Sequence, residues 1–470
     1  MGRKRKPLRV FENVEILNIG SEGKSVAKVD SLVLFVAGTV PGDIVDAKEV
    51  KKKKSFIEAY PMKFHKYSED RVEPFCEHFG LCGGCKWQML PYEKQLDYKQ
   101  QQVMDQLTRI GKVELPEPMR ILGSAETTNY RNKMDYTFSD SRWLTMEELQ
   151  ESEGKELDRK ACGFHLPGHW NRIIDIDHCH LMEGSSNKIR NQLLDYAREN
   201  NLSSYSYKDH TGFLRGLIMR TSITGDLMVI VQVGYKDMGP INGVMEFLKE
   251  NFPEITSLNY VINTKQNDTF GDLEVVNYHG EPFITEEMEG LKFRVGPKSF
   301  YQTNSKQAYE LYKVTREFAQ LTGEEKVYDL YTGTGTIAQF VSKEAKEVIG
   351  IEYVESAIED AKENASYNGI ENCKFYAGDM KDILTPTFVK EHGEADVIIT
   401  DPPRAGMHPD VVKQILKVAP KRVVYVSCNP ATQARDIALM DEDYKVTKIR
   451  PVDMFPHTQH VENVVLLERR

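Results

Sequence analysis

The sequence predicts an α/β chain with a Rossmann-like, doubly wound domain at its C-terminal end. An OB-like β-barrel precedes it at the start, and an α+β middle region lies between. Three observations carry this. Strands alternate with helices from about residue 291, short β-runs cut by glycine turns fill residues 8 to 66, and 470 residues exceed what one hydrophobic core organises.

The first region is read from its turns. Residues 11–16 alternate, Gly20 and Gly23 break the run, and residues 31–36 are apolar and β-rich. Val40-Pro41-Gly42-Asp43 is a turn, and residues 44–50 alternate again. That spacing predicts a five-stranded barrel. Lys51 to Lys54 then fall on a turn, where they can track a phosphate backbone. Residues 92–111 predict a helix, with Leu96, Val103, Leu107 and Ile110 near one face. Short β-like runs follow from about 120 to 290 without a repeat, and the charged stretch 145–160 reads as a surface loop or short helix. In the last region the predicted strands are 326–331, 347–351, 373–376, 396–400 and 422–427, with helices such as 354–367 and 409–417 between them. The alternation predicts a parallel sheet covered on both faces. Strands 445–450 and 461–467, with little helix between, predict an antiparallel pair at the end.

Composition excludes several classes. Hydrophobic residues at 40% and charged residues at 28% fit a globular chain. No apolar run is long enough to span a bilayer. The basic Arg3-Lys4-Arg5-Lys6 is not followed by a secretory core, and Lys6 stands where a myristoylation signal at Gly2 needs Ser or Thr. A cytoplasmic protein is expected. A net charge of −10 argues against uniform coating of nucleic acid, so such contact must come from local patches, residues 3–9 and 51–54. Seven cysteines without an export signal point to metal binding or catalysis rather than a disulfide framework.

The first predicted strand of the last region ends in Asp329-Leu330-Tyr331-Thr332-Gly333-Thr334-Gly335-Thr336. Glycines there let the backbone approach a ligand closely, but Ala338 stands where a dinucleotide site has its third glycine. Glu352 ends the second strand, at the place where an acidic side chain binds ribose hydroxyls, and Asp379 follows the third, where a carboxylate can accept from an adenine amino group. Together they favour a nucleoside ligand, with nicotinamide as the competitor.

Asp401-Pro402-Pro403-Arg404 closes the fourth strand, Ser427-Cys428-Asn429-Pro430 closes the fifth, and His460-Val461-Glu462-Asn463 opens the last. In a doubly wound sheet these ends share one crevice. A thiol and a carboxylate together suit methylation of carbon 5 of a uracil. That carbon is a poor nucleophile until a soft thiolate adds to carbon 6, and a base must afterwards remove the carbon 5 proton. Cys428 fits the first role and Glu462 the second. Pro430 predicts a helix start beside Cys428, which is expected to lower the thiol pKa. A lone cysteine at a strand end is ordinarily a small buried hydrophobe; the flanking Asn429-Pro430 and the neighbouring Asp-Pro-Pro-Arg reverse that. Amino-group methyltransferases carry an aromatic residue where Arg404 stands.

These stretches, Asp401 to Gly406, Val424 to Thr432 and His457 to Glu462, resemble the signatures of the RNA uracil-5 methyltransferase family over almost the whole chain. The resemblance implies a Rossmann-like methyltransferase domain at 291–470, with S-adenosyl-L-methionine as cofactor. It implies Cys428 as nucleophile and Glu462 as proton acceptor, and cofactor contacts by Gln302, Tyr331, Glu352 and Asp401; Asp379 varies in the family. Residues 1–67 resemble the TRAM domain, an RNA-binding barrel.

Cys76, Cys82 and Cys85 lie close together in a glycine-bearing loop, which points to a metal. Zinc wants a fourth ligand such as His78, whereas an iron–sulfur cluster wants a fourth thiolate, from Cys162 or Cys179. The resemblance to ribosomal-RNA members of the family implies a [4Fe-4S] cluster held by Cys76, Cys82, Cys85 and Cys179, in a middle domain at 68–290. Cys162 and Cys373 then read as structural. The same resemblance favours 23S ribosomal RNA, at the uridine-1939 type of site, with transfer RNA or another ribosomal-RNA uridine as the alternative. No membrane and no obligate protein partner are expected. Tyr130 to Met134 and the Phe213 to Arg220 stretch mix cations with aromatics and are possible base-stacking surfaces. Two other classes remain. A radical methylthiotransferase wants Cys-x3-Cys-x2-Cys, where this chain has five residues between its first two cysteines, and an RNA chaperone needs no nucleophile.

Overall fold

The computed structural model describes residues 8–152 and 154–470; the basic residues 3–6 lie outside that range. Strands β1–β5 (Val10–Ile19, Ser25–Val29, Leu32–Val36, Ile44–Lys52 and Phe56–Lys66) close a barrel in the order β1-β2-β3-β5-β4. Alternation puts Val14, Ile16, Leu34, Val36, Val45 and Ile57 inside it. Of the lysine run, Lys51 and Lys52 end β4, and only Lys53 and Lys54 occupy the turn to β5.

The helix Tyr92–Gln106 follows the barrel and a cysteine-bearing loop. It ends earlier as an α-helix than predicted, because Leu107–Gly111 widen into a π turn before Lys112 adopts a left-handed conformation. The middle region is one mixed sheet of β6–β12 (Lys133–Ser139, Ala161–His165, Ile173–Asp175, Leu214–Thr221, Leu227–Val233, Ser257–Ile262 and Val275–Gly280), in the order β12-β11-β10-β9-β6-β7-β8. The helices Ser186–Glu199 and Met238–Asn251 cover one face. On the other face Ile218, Met228 and Ile230 join the core of the C-terminal sheet, so the two regions share packing. Within the charged stretch, Thr145 and Glu148 form a capping box that starts the short helix Met146–Glu151.

After the hairpin β13–β14 (Ile284–Met288 and Leu291–Val295) comes a second seven-stranded sheet. Its strands β15–β21 (Lys326–Leu330, Glu347–Glu352, Cys373–Ala377, Val397–Thr400, Arg422–Ser427, Tyr444–Val452 and Glu462–Arg469) run in the order β17-β16-β15-β18-β19-β21-β20. The first five are parallel, and β21 pairs antiparallel with both β19 and β20. Apolar clusters cover both faces. This is the Rossmann-like methyltransferase layout the sequence predicts. Order reverses at β15, so β15 and β18 open a crevice between their carboxyl ends. Among the described residues no helix is long and apolar enough to cross a membrane.

Candidate functional site

Sheet register fixes the chemistry. Ser427 at the end of β19 pairs with Asn463 in β21, so Cys428 emerges opposite Glu462 although 34 residues separate them. Gln433 locks this junction: its Nε2 donates to Tyr425 O at 2.9 Å and Asn463 O at 3.2 Å, and Asn463 Nδ2 donates back to Gln433 Oε1 at 2.7 Å. Asn429 caps the helix Pro430–Ala438 by accepting from Ala431 N, and its Nδ2 donates to Arg404 O at 2.9 Å. The Asn-Pro after Cys428 therefore starts a helix and ties the nucleophile's turn to the Asp-Pro-Pro-Arg loop. Asp436 holds the far side of that loop through Met407 N at 2.8 Å.

A cavity of about 1110 Å³ opens at this edge, and its wall contains Cys428, Glu462, Asp401, Gln302, Tyr331, Glu352 and Asp379. All seven residues singled out from the sequence for chemistry and cofactor binding thus converge. Tyr331 and Gly333 have positive φ, and Gly335 does too; a Cβ at Gly335 would stand 2.9 Å from both Ala361 Cβ and the Phe375 ring. The turn therefore requires glycine at 335. Glu352 receives Gly333 N at 3.2 Å and Val354 N at 3.0 Å, which orients its carboxylate beneath the turn. Asp379 caps the short helix Met380–Ile383 and pairs with Lys381, so its acceptor capacity is partly used. Gln302 does no capping; Asn304 caps Ser305–Ala319, and Gln302 O accepts from Asn132 Nδ2 at 2.9 Å. Sequence reasoning missed Phe300, Tyr312 and Tyr353, which also line the cavity. The exposed Tyr353, directly after the acidic strand end, was the signal available for one of them.

Electrostatically this is an acidic, desolvated site. Burial pushes Glu462 up to about 8, with Asp401 adding to the rise and Arg404 opposing it, and burial pushes Asp401 up to about 7. Such carboxylates favour a cationic ligand, and S-adenosylmethionine carries a sulfonium and an ammonium. The residues present fit that cofactor. The expectation of a lowered thiol pKa is overturned: burial first, then Glu462 and Asp401, push Cys428 up to about 12 against Arg404. Desolvation and two anionic neighbours outweigh the helix start.

The stretches expected as base-stacking surfaces are mostly internal. Tyr130 is buried and donates to Pro456 O at 3.0 Å, and Met134, Phe213, Leu214, Arg215 and Arg220 are buried too. Arg215 is spent on the carbonyls of Asn263, Lys265 and Asn267 and on Asp268. These are buried residues of strands and the loops beside them, not surface stacking groups.

A second cavity, of about 430 Å³, is lined by Cys76, Cys82, Cys85 and Cys179. Burial, reinforced by the neighbouring thiols, pushes Cys82 up to about 11 and Cys85 up to about 12. Among the described residues no three His, Cys, Asp or Glu side chains are drawn together as a single metal ion requires, and zinc would hold thiolates within about 4 Å of each other. His78, the possible zinc ligand, accepts from Asp177 N at 3.1 Å. Cys162 is fully buried in β7, and Cys373 is partly buried in β17.

The cysteine loop and the helix after it are fastened to residues 453–457, the loop that leads into the strand carrying Glu462. Lys86 N and Trp87 N donate to His457 O, and Gln95 Oε1 accepts from His457 N at 2.8 Å. Lys99 and Asp453 form a fully buried pair at 2.6 Å, and Tyr92 Oη donates to the other Asp453 oxygen at 2.8 Å.

The model of the family described as tRNA (Uracil-5-)-methyltransferase matches residues 283–470. A Bacteroides thetaiotaomicron protein described as an uncharacterized RNA methyltransferase is 58% identical, over 96% of this chain and 100% of its own length. One from Porphyromonas gingivalis with the same description is 54% identical, over 97% and 99%. The crystal structure of Pyrococcus abyssi tRNA (uracil-54, C5)-methyltransferase in complex with S-adenosyl-L-homocysteine is similar at TM-score 0.75 and 28% identity, covering 97% of this chain and 100% of that one. With the sheet, the acidic cavity and these similarities together, the chain belongs to the RNA uracil-5 methyltransferase family and is an S-adenosylmethionine-dependent RNA methyltransferase.

Proposed function

We propose that the chain methylates carbon 5 of a uridine through a covalent adduct on Cys428, and that Glu462 completes the reaction as proton acceptor. The observation that carries this is the β19–β21 register, which sets the thiol opposite the carboxylate in one cavity wall. Cys428 Sγ, its thiol proton passing to solvent, adds as thiolate to carbon 6, and the electron pair of the carbon 5–carbon 6 double bond moves onto carbon 5 and the carbonyl oxygen of carbon 4 as an enolate. S-adenosylmethionine supplies an electrophilic methyl group when bound. Glu462 then takes the proton from methylated carbon 5, the double bond re-forms, and the bond from sulfur to carbon 6 breaks to return the thiolate. Gln302, Tyr331, Glu352, Asp379 and Asp401 are read as the cofactor-binding wall. A base inside folded RNA must leave its stack to reach Cys428, so a loop uridine is the expected target.

Residues 1–67 are read as an RNA-binding barrel, 68–290 as a middle domain and 291–470 as the catalytic domain. Cys76, Cys82, Cys85 and Cys179 are read as ligands of a [4Fe-4S] cluster, which spaces its thiolates more widely than a single ion does. Their common cavity supports this. Because methyl transfer moves no net electrons, the cluster's role is to pin the loop. For substrate, the barrel and cysteine pattern favour 23S ribosomal RNA; likeness to a transfer-RNA enzyme favours transfer RNA as the second reading. Methyl-labelled cofactor incubated with unmodified 23S and transfer RNA separates the two. Label mapped to 5-methyluridine in 23S RNA is expected, label only in transfer RNA selects the alternative, and label on any atom but carbon 5 of a uridine overturns the proposal.

A further inference from the structure

We infer that the cavity beside the methyl-transfer site receives a second nucleobase of the same RNA, one flanking the target uridine. This rests on the RNA reading above. The cavity, about 590 Å³, lies on the face of β6, β9 and β10 and is bounded by the loop around Asp268 and by the segment Pro297 to Thr303. It shares Pro297, Lys298, Ser299, Phe300 and Thr303 with the catalytic cavity, so one chain segment is the partition between them. Phe300 stands on that partition at 68% exposure, an aromatic face open to stacking on either side.

The walls suit a base rather than an apolar ligand. Gln232 is buried on the floor; its Nε2 donates to Asp268 O at 3.1 Å, and its Oε1 has only a long 3.5 Å contact from Asn263. Tyr301, in the same wall, has a buried hydroxyl with no hydrogen-bond partner among the described residues, and so does Arg215 at Nε. Lys133 and Lys298 also line the cavity, where cations can meet the backbone phosphate that accompanies a base. Gly216 leaves the floor flat: a Cβ there would meet Gln232 at 3.5 Å, ordinary contact, so the position stays empty without steric need. Extruding the target uridine removes a stacking partner from its neighbour, and an adjoining pocket with an aromatic partition restores one. Such volume falls in the range of ligand pockets.

Gly216→Val fills this floor with a side chain that suits a strand. The probe is a synthetic RNA hairpin containing the uridine that the wild-type protein methylates; if wild type forms no 5-methyluridine in any RNA, it is the parent reading that fails. Each flanking nucleotide is replaced in turn by an abasic residue, and Kd is measured for both proteins. In wild type, one flanking position is expected to lose about tenfold or more on base removal. Gly216→Val is expected to bind the intact hairpin about as weakly as wild type binds that abasic one, and to be insensitive to the same abasic position. Independent penalties, or unchanged binding by Gly216→Val, overturn the inference. Should Gly216→Val fail to fold, wild type is photocrosslinked to hairpins carrying 4-thiouridine at each flank: a crosslink to residues 215–232 or 297–303 is expected, and crosslinks confined to other segments overturn it.

Discussion

The catalytic cavity and the cysteine cavity both gather titratable groups, but they are held in different ways. Asp401, Cys428 and Glu462 sit at strand ends, where register and the Gln433–Asn463 lock determine their relative positions. Cys76, Cys82, Cys85 and Cys179 sit on loops, in a region that β-ladders do not bind together. A site on strand ends is preformed before any ligand arrives. A site on loops depends on its ligand for geometry, as small metal-bearing loops do. Connections from the second to the first run from Lys86 and Trp87, and from Gln95, Lys99 and Tyr92, to residues 453–457.

The largest expected effect breaks the strand-end site alone. Cys428→Ala should lower turnover by about four to six orders of magnitude while leaving the thermal transition and cofactor binding near wild type. Glu462→Gln should lower turnover by roughly 10²–10⁴ and accumulate a denaturation-resistant complex with ordinary RNA, because elimination is blocked after methyl transfer. It should also alter pH behaviour. Carboxyls raised by burial stabilise the fold fully below their unfolded range, and this is lost as pH rises through about 7 for Asp401 and about 8 for Glu462. The ligand-free Tm should therefore fall from about pH 4 to about pH 8 and level off above that, and Glu462→Gln should flatten the upper part of the fall. Turnover in wild type should rise over the same interval, since Glu462 must be unprotonated to accept. A fall in kcat across that interval contradicts its assignment as base.

The connection between the sites gives an intermediate effect. Lys99→Met leaves Asp453 buried without its cation and should cost about 3–5 kcal/mol in denaturant unfolding, with Lys99→Met/Asp453→Asn recovering part of it. Replacing Cys179 with Ser should abolish iron–sulfur absorbance in anaerobically purified protein and lower Tm; full absorbance in that variant contradicts the ligand set. The smallest effect belongs to the barrel. Changing Lys53 and Lys54 to Glu should weaken RNA binding and reduce the slope of log Kd against log salt by roughly 1–2, without changing kcat.

The same contrast explains what the sequence made legible. Strands β15–β19 were readable because β-branched runs end in turns with chemistry, and register then follows from the fold. The mixed middle sheet was not, because β9 and β10 are buried on both faces and carry no alternation, and its spatial order is not the chain order. In the barrel, β5 escaped individual notice because Pro61 and bulges interrupt its pattern. The seven residues read as catalytic or cofactor-binding were picked out from motifs and, for Gln302, from the family resemblance, and all of them line the larger cavity. The Cys428 environment was not, since its thiol responds to carboxylates brought from distant strands. Nor was the Lys99–Asp453 pair, although Gln95 and Lys99, four apart on the helix beside Leu96 and Val103, are polar where burial was due.

The central claim is a bond between Cys428 sulfur and the pyrimidine ring. Substrate RNA carrying 5-fluorouridine at the mapped position, incubated with S-adenosylmethionine, denatured and digested, tests it by mass spectrometry. The account predicts a methylated fluoropyrimidine nucleotide attached to the peptide containing Cys428, absent in Cys428→Ala. Efficient methylation of ordinary RNA with no adduct on that peptide contradicts it.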